Sequence, residues 1–244
     1  MYNLVRYASE TLDCIDFGAQ TPGLYMFEDI EYALIPEKRY EDVIQHLRDN
    51  FFADEPLNYS VSLCRPGEPH AELEQHSLNT LRDGLSLMAV KISTREVMGV
   101  ALNGVQRPGD AAAAKLKLET MTDKKFRKIF ELLYDCNLKA DLFSAYHVDR
   151  IFECRILSVD KRFRGRGLAK ELLQRSESVA RKKGFRVLKE DATGYFSQRV
   201  AESLGLEVVL EVRYSDYKSE DTGEVVFNTE PPHECLKIMV KVLS

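Results

Sequence analysis

Arg162, Gly165 and Gly167 stand directly after an apolar run, Ile151-Phe-Glu-Cys-Arg-Ile-Leu-Ser-Val159, and directly before an amphipathic stretch that opens with Leu168 and Ala169. A buried strand, a glycine-containing turn and a fresh helix N-terminus together make a site for a phosphate. Glycine lets the backbone approach a ligand closely, and the first N–H groups of a helix have no partner within it. Arg162, Arg164 and Arg166 add positive charge around the same turn. A tight turn with solvent-facing arginines is the alternative, but the arginine spacing and the flanking elements favour the ligand. The spacing also excludes two common phosphate loops. No Gly-Lys-Ser/Thr occurs, so there is no Walker loop, and Lys170 stands where a dinucleotide fingerprint needs its third glycine.

The elements that position this turn can be read from periodicity. Asp29 to Ile35 alternates as a strand, and Pro36 starts a helix that carries Tyr40, Val43, Ile44, Leu47 and Phe51 at helical spacing. Phe52 to Asn58 is turn-like, and a second helix is expected from His70 to Leu81. Leu85 to Ile92 and Val97 to Val105 read as a hairpin, Pro108 to Ala114 as a loop, and Thr122 as the cap of a helix bearing Phe126, Ile129, Phe130 and Leu133. Beyond the glycine turn, Leu168, Leu172, Val179 and Ala180 line a helix that stops at Gly184. Phe185 to Glu190 is strand-like, Ser197 to Leu204 is a short helix ended by Gly205, and Glu207 to Tyr214 and Leu236 to Val242 are strands. This order predicts an α/β chain with one central mixed sheet flanked by helices. Residues 1–29 read as an irregular extension and 30–244 as the domain, with no linker dividing it.

Composition narrows the class. At 244 residues, 44% hydrophobic and 30% charged, the chain has the make-up of a soluble globular protein. It contains no run of about 18 apolar residues to span a membrane and no secretory pattern at its start. Five scattered cysteines without a Cys-x-x-Cys pair argue against a disulfide framework and for a reduced, cytoplasmic protein. The five histidines (His46, His70, His76, His147 and His233) are dispersed without ligand spacing, and no metal is expected. A net charge of −5 disfavours nucleic acid as a partner.

Arg162-x-x-Gly165-x-Gly167 resembles the acetyl-CoA pyrophosphate loop of the GNAT-type N-acetyltransferases, and the element order is the one known for that superfamily. Further segments resemble the insect arylalkylamine (dopamine-type) N-acetyltransferases: Asp54-Glu-Pro-Leu-Asn58, Leu102-Asn-Gly104, Ile156-Leu-Ser-Val-Asp160, Tyr214-Ser-Asp-Tyr-Lys218 and Gly223-Glu-Val-Val-Phe227. The resemblance runs from about Ile30 to the C-terminus. It implies a single GNAT-type domain with a mostly antiparallel mixed sheet and acetyl-CoA as cosubstrate. Acetyl-CoA would be bound by the amides of Leu157, Ser158 and Val159 and by Arg162, Arg164, Gly165, Arg166, Gly167, Leu168 and Ala169.

The implied reaction moves an acetyl group to a primary amine. A lysine-like amine with a pKa near 10.4 is only about one part in a thousand free base at neutral pH, so a proton must be accepted. The resemblance assigns that role to Glu55, acting through water, and gives Asp54 a minor part at most. The family has two serines at the spacing of residue 193 and Ser197, proposed to relay protons or bind substrate. Here Thr193 stands at the first, and Ser197 could instead cap its helix. Tyr195 is a candidate to protonate the leaving thiolate. The implied acceptors are arylalkylamines such as dopamine, octopamine, tyramine, serotonin and tryptamine. The alternatives are polyamines such as spermine and spermidine, or a non-catalytic acyl-CoA-binding protein. A small-molecule amine is the expected partner, with no nucleic acid or membrane, and a monomer is compatible with the sequence.

Overall fold

The computed structural model describes residues 29–243, so the extension expected over residues 1–29 lies outside the described residues apart from Asp29. Strand β1 (Ile30–Leu34), a 3-10 turn (Glu37–Arg39) and helix α1 (Tyr40–Asn50) open the chain. Helices α2 (Pro56–Ser60) and α3 (Ala71–Leu81) lead into the hairpin of β2 (Leu87–Lys91) and β3 (Val97–Gln106). Three helices follow, α4 (Asp110–Leu118), α5 (Lys124–Ala140) and α6 (Leu142–Tyr146). The second half runs β4 (Ile151–Val159), α7 (Leu168–Lys182), β5 (Val187–Ala192), α8 (Tyr195–Ser203), β6 (Glu207–Arg213) and β7 (Cys235–Val242).

The strands form one sheet in the order β1-β2-β3-β4-β5-β7-β6. Only β4 and β5 run parallel, joined through α7 as a parallel crossover requires. Alternation divides the apolar residues between two faces. Val100, Leu102, Ile156, Val187, Ile238 and Val240 pack under α1, α3 and α5, whereas Ala101, Cys154, Leu188 and Met239 pack under α7 and α8.

Four local expectations change. The turn-like segment before Asn58 contains α2, because Pro56 occupies the first helical position, where its missing N–H costs nothing. The stretch expected as a loop from Pro108 is the helix α4, capped by Gly109. Its run of alanines favours helix without presenting an apolar stripe, which is why periodicity misses it. Asp123, not Thr122, caps α5, its carboxylate accepting from the amides of Lys125 at 2.8 Å and Phe126 at 3.0 Å. Helix α8 begins at Tyr195, so Ser197 lies inside its first turn.

Two irregularities in the sheet prepare the site. β4 pairs with β3 as far as Val159, but with β5 only from Phe152 to Cys154. Beyond Cys154 the two parallel strands part, leaving a slot along Ile156 to Val159. In the same place the register with β3 slips between Leu102 and Asn103, so that Arg155 is an extra residue in β4. Such a bulge re-aims side chains, and here it turns both Arg155 and Ile156 toward the face covered by α3 and α5.

Candidate active site

The turn after β4 is built for an anion by its backbone. Gly165 and Gly167 have φ of +76° and +81°, a left-handed conformation that other residues rarely adopt, and the space where their Cβ atoms would lie is open. No side chain caps α7, so the first-turn amides at Leu168 and Ala169 are free of helical partners. A diphosphate fits this open cradle and these donors, and the slot between β4 and β5 continues from it.

The three arginines of the turn are not equivalent. Arg162 is bound to Asp160 at 2.6 Å and also to Glu96, and its bond to Asp160 holds that carboxyl below the usual range. Arg164 reaches Asp54 Oδ2 at 2.8 Å, the Val159 carbonyl at 3.1 Å and the Asn50 carbonyl at 3.2 Å. Arg166 lies over the Phe163 ring at 5.5 Å and has no carboxylate partner among the described residues. Arg162 and Arg164 therefore hold the turn in shape, and Arg166 carries the unpaired charge.

Adjacent acids in the 54–58 segment face opposite ways. Asp54 ties to the phosphate turn through Arg164, with Lys161 at 3.5 Å. Glu55 caps α2, its Oε2 accepting from the Asn58 amide at 2.7 Å, while its Oε1 is shut off from solvent without a well-formed hydrogen bond. Burial raises the Glu55 pKa above the usual carboxylate value, opposed by the Asn58 amide and the Thr193 hydroxyl. A carboxylate in such surroundings is a competent proton acceptor nearer neutral pH. Thr193 is steadied in turn by Tyr214, whose buried hydroxyl donates to its carbonyl at 2.7 Å.

Glu55 and Thr193 open onto a cavity of about 820 Å³ between α3, α4, α5 and the sheet. One wall is an aromatic ladder along α5, where Phe126, Phe130 and Tyr134 recur every fourth residue. Phe126 and Phe130 stack with centroids 4.1 Å apart, Tyr134 follows at 5.8 Å, and His76 packs edge-on against Phe130 at 5.1 Å. Opposite, α4 offers Ala111, Ala113 and Ala114, whose small side chains leave the space open.

The sheet floor of this cavity is polar and charge-balanced. Glu153 takes a bond from Arg155 at 2.8 Å and another from Lys189, which is wholly buried and lies 3.0 Å from Asp191. Burial opposes the charge on Lys189, but Asp191 and Glu153 outweigh it and hold the ammonium protonated. Burial likewise opposes Glu153, yet Lys189 and Arg155 hold it down at about 2. Asn137 donates to Asp191 Oδ2 at 2.7 Å and accepts from Gln106 at 3.2 Å.

Of the residues expected at the site, the structure brings Glu55 and Thr193 together at the cavity, and places Leu157 to Val159 along the parted strands and Arg162 to Ala169 at the turn. It does not bring Ser197 there: its hydroxyl donates to the Gly194 carbonyl at 2.9 Å, inside its own helix. Tyr195 is half-exposed beside Phe196, outside the cavity lining, with its amide bound to His233 Nδ1 at 3.1 Å. Sequence reasoning missed the cavity walls and the charged floor. The i, i+4, i+8 aromatics of α5 were the available signal for the first. Dispersed in sequence, His70, Glu72 and Asp123 also converge, with ligand atoms within 4.8 Å of one another. Two of them act as caps there, His70 for α3 and Asp123 for α5, which pins the starts of the two helices together.

Residues 138–206 match the family model described as Acetyltransferase (GNAT) family. Arylalkylamine N-acetyltransferase 2 from Aedes aegypti shares 53% identity over 88% of this chain and 99% of its own, with a TM-score of 0.85. A mosquito arylalkylamine N-acetyltransferase like 5b shares 28% identity over 88% and 100%, with a TM-score of 0.79. The polyamine N-acetyltransferase of Drosophila melanogaster, at 22% identity, the same coverage and the same TM-score, shares the fold. GNAT enzymes use acetyl-CoA, and the open glycine turn suits its diphosphate. The chain belongs to the arylalkylamine N-acetyltransferases of the GNAT superfamily.

Proposed function

We propose that this acetyltransferase acts on arylalkylamines, the dopamine, tyramine, octopamine, serotonin and tryptamine class, by direct attack of the amine on acetyl-CoA. The supporting observation is the cavity beside Glu55. Its aromatic ladder suits a flat ring, and the carboxylates of its floor, Glu153 and Asp191, are already matched by Arg155 and Lys189. A polycation would need carboxylates free of such partners. A polyamine acceptor, the second reading, draws on Asp110, which lines the cavity with no ion pair among the described residues.

In this reading Glu55, kept ready by burial and steadied by Thr193, accepts the proton of the amine, directly or through one water. The new N–C bond forms as the C–S bond breaks, and the sulfur leaves with the electron pair. The strand amides at Leu157 to Val159 hold the pantetheine arm and polarise the thioester carbonyl. The turn at Gly165 and Gly167, with the amides of Leu168 and Ala169, takes the diphosphate. Arg166 supplies charge toward it, while Arg162 and Arg164 keep the turn in shape. The hydroxyl of Tyr195 is assigned to return a proton to the thiolate. Ser197, bonded to Gly194, supports the first turn of α8. The four free cysteines of the described residues accord with a reducing, cytoplasmic setting.

Thiol release from acetyl-CoA, measured across dopamine, tyramine, serotonin, tryptamine, spermidine and spermine, tests the assignment. Turnover with the aryl amines is the expected result. Turnover with polyamines alone would replace the acceptor class, and silence with bound acetyl-CoA would favour a non-catalytic binding protein.

A further inference from the structure

Helix α4 is the wall of the acceptor cavity with the least packed against it. Of its side chains only Leu118, at the C-terminal end, is buried, and Leu116 is 65% exposed on the outside. The ion pair of Lys115 with Asp135 ties it to α5. Helices owe most of their stability in proteins to a packed apolar face, yet Ala111 and Ala114 on the inner side of α4 border open space. Elements with so little buried surface are those that open and close at low cost. The other walls are anchored: α3 buries Leu73 and Leu81, and α5 buries Phe126, Ile129, Phe130 and Leu132.

The cavity is also larger than its proposed occupant. Its volume of about 820 Å³ lies toward the top of the range of about 300–1,000 Å³ that takes a drug-sized ligand, and an arylethylamine is smaller than that. Inward movement of one wall brings protein against both faces of the ring and expels the water around it.

Helices α3 and α4 border the mouth of the cavity antiparallel to each other, and both ends of the mouth are pinned. At one end Asp83, just past α3, accepts from the Val105 amide at 2.8 Å, just before α4. At the other, His70 at the start of α3 meets Asp123 at 3.2 Å, just past the end of α4. The start of α3 therefore lies across from the end of α4, which sets Glu72 and Lys117 on opposite sides of the rim. Lys115 is taken by Asp135, but Lys117 is in no ion pair among the described residues. Glu72 is 3.5 Å from His70 Nδ1, which accepts from the Leu73 amide and so has no proton to offer it.

We propose that α4 is a lid: with an amine on the α5 ladder, its alanine face moves in over the ring, and Lys117 meets Glu72 across the mouth to hold it shut. The proposal rests on the acceptor reading above. Lys117 and Glu72 are then positioning residues, which pair with each other and touch no reacting atom.

Charge reversals on the rim test this, with tyramine as the acceptor and melting temperature as the check on folding. Lys117→Glu and Glu72→Lys each lose the pair and add repulsion, so each should lower kcat/KM about three- to fivefold, the scale of an exposed ion pair. Lys117→Gln, which only removes the charge, should give a smaller loss of the same sign. The double variant Lys117→Glu/Glu72→Lys remakes the pair in reverse and should regain most of what either single loses. That coupling should be absent from the melting temperature of the free chain, where the mouth is open. Charges that merely steered a cationic amine would act oppositely, and Lys117→Glu would raise kcat/KM. That result overturns the lid, as do singles that match native or a double variant that adds the two losses. Native chain inert toward tyramine removes the acceptor reading and the lid with it, whereas native turnover with unresponsive variants removes the lid alone.

Discussion

The phosphate turn and the acceptor cavity lie side by side and are made in different ways. The turn is a backbone object: two left-handed glycines, the open first turn of α7 and a splay between strands, all within Cys154 to Ala169. The cavity is a side-chain object. It takes Glu55 from one segment, His76 from α3, alanines from α4, aromatics from α5 and a charged floor from β4 and β5. Backbone sites bind what every reaction of a superfamily shares, since main-chain donors do not depend on side-chain identity. Side-chain sites can change one residue at a time. In the proposed reading the common cosubstrate sits on the first kind of site and the variable acceptor on the second. Asp54 and Glu55 are where they touch, neighbours of which one holds the turn and the other lines the cavity.

The sharpest test of that division is Glu55→Gln. Glutamine keeps the cap to the Asn58 amide but cannot accept the proton, so kcat should fall by roughly 10² to 10⁴, with acetyl-CoA affinity near native by titration calorimetry. The pH dependence supplies a second signature. Because burial raises the Glu55 pKa, the basic form is lost as pH falls through a value above that of an ordinary carboxylate. The acid limb of kcat/KM should sit correspondingly high, and the Gln variant should lack it. A variant with native turnover would remove Glu55 from the chemistry.

Gly165→Val strikes the other region. In the free protein nothing lies within 4 Å of the added Cβ, so the protein itself has room for it. The cost comes from forcing a β-branched residue to φ +76° and from occupying the space of the diphosphate. Acetyl-CoA affinity should weaken by about 10- to 100-fold, roughly 1.4–2.7 kcal/mol, because the valine side chain stands where the diphosphate would lie. At saturating cosubstrate, kcat should stay near native. A large loss of kcat with intact affinity would mean that the turn and the cavity are one coupled unit.

The same contrast explains what was legible in the sequence. Arg162, Gly165 and Gly167 could be read because their meaning is local: φ, helix start and spacing lie within a few residues. The sheet order and the helices with apolar stripes were legible for the same reason. Glu55 came through a motif and not through its spacing, since nothing in one sequence says that its Oε1 is buried while its neighbour Asp54 meets Arg164. The ion pairs of Arg155, Glu153, Lys189 and Asp191 were illegible. They depend on a bulge at Arg155 and on the pairing of Glu153 with Lys189 across parallel strands. Helix α4 escaped because its alanines carry propensity without periodicity, and it is the helix that leaves the cavity open.

Glu190 gives the smallest predicted effect, on stability instead of rate. It alternates with Asp191 on β5, so it points to the opposite face, among Leu188, Cys154 and Met239 beneath α7. Its Oε2 is buried without a partner, and burial, with Asp191 adding repulsion, pushes its pKa from 4.5 up to about 8. A carboxyl whose folded pKa is raised favours the folded state while it is protonated. That contribution is complete below the unfolded pKa and is lost as pH rises from 4.5 through about 8. Native chain should accordingly lose thermal stability between about pH 5 and 8 by about 2–4 °C for each kcal/mol involved. Glu190→Gln stays neutral and has the same shape, so its melting temperature should exceed native at pH 9 and come close to it at pH 5. Because the substitution touches the α7 face and leaves the cavity walls alone, amine selectivity should be unchanged. A shift in that selectivity would show that the two faces of β5 are not independent.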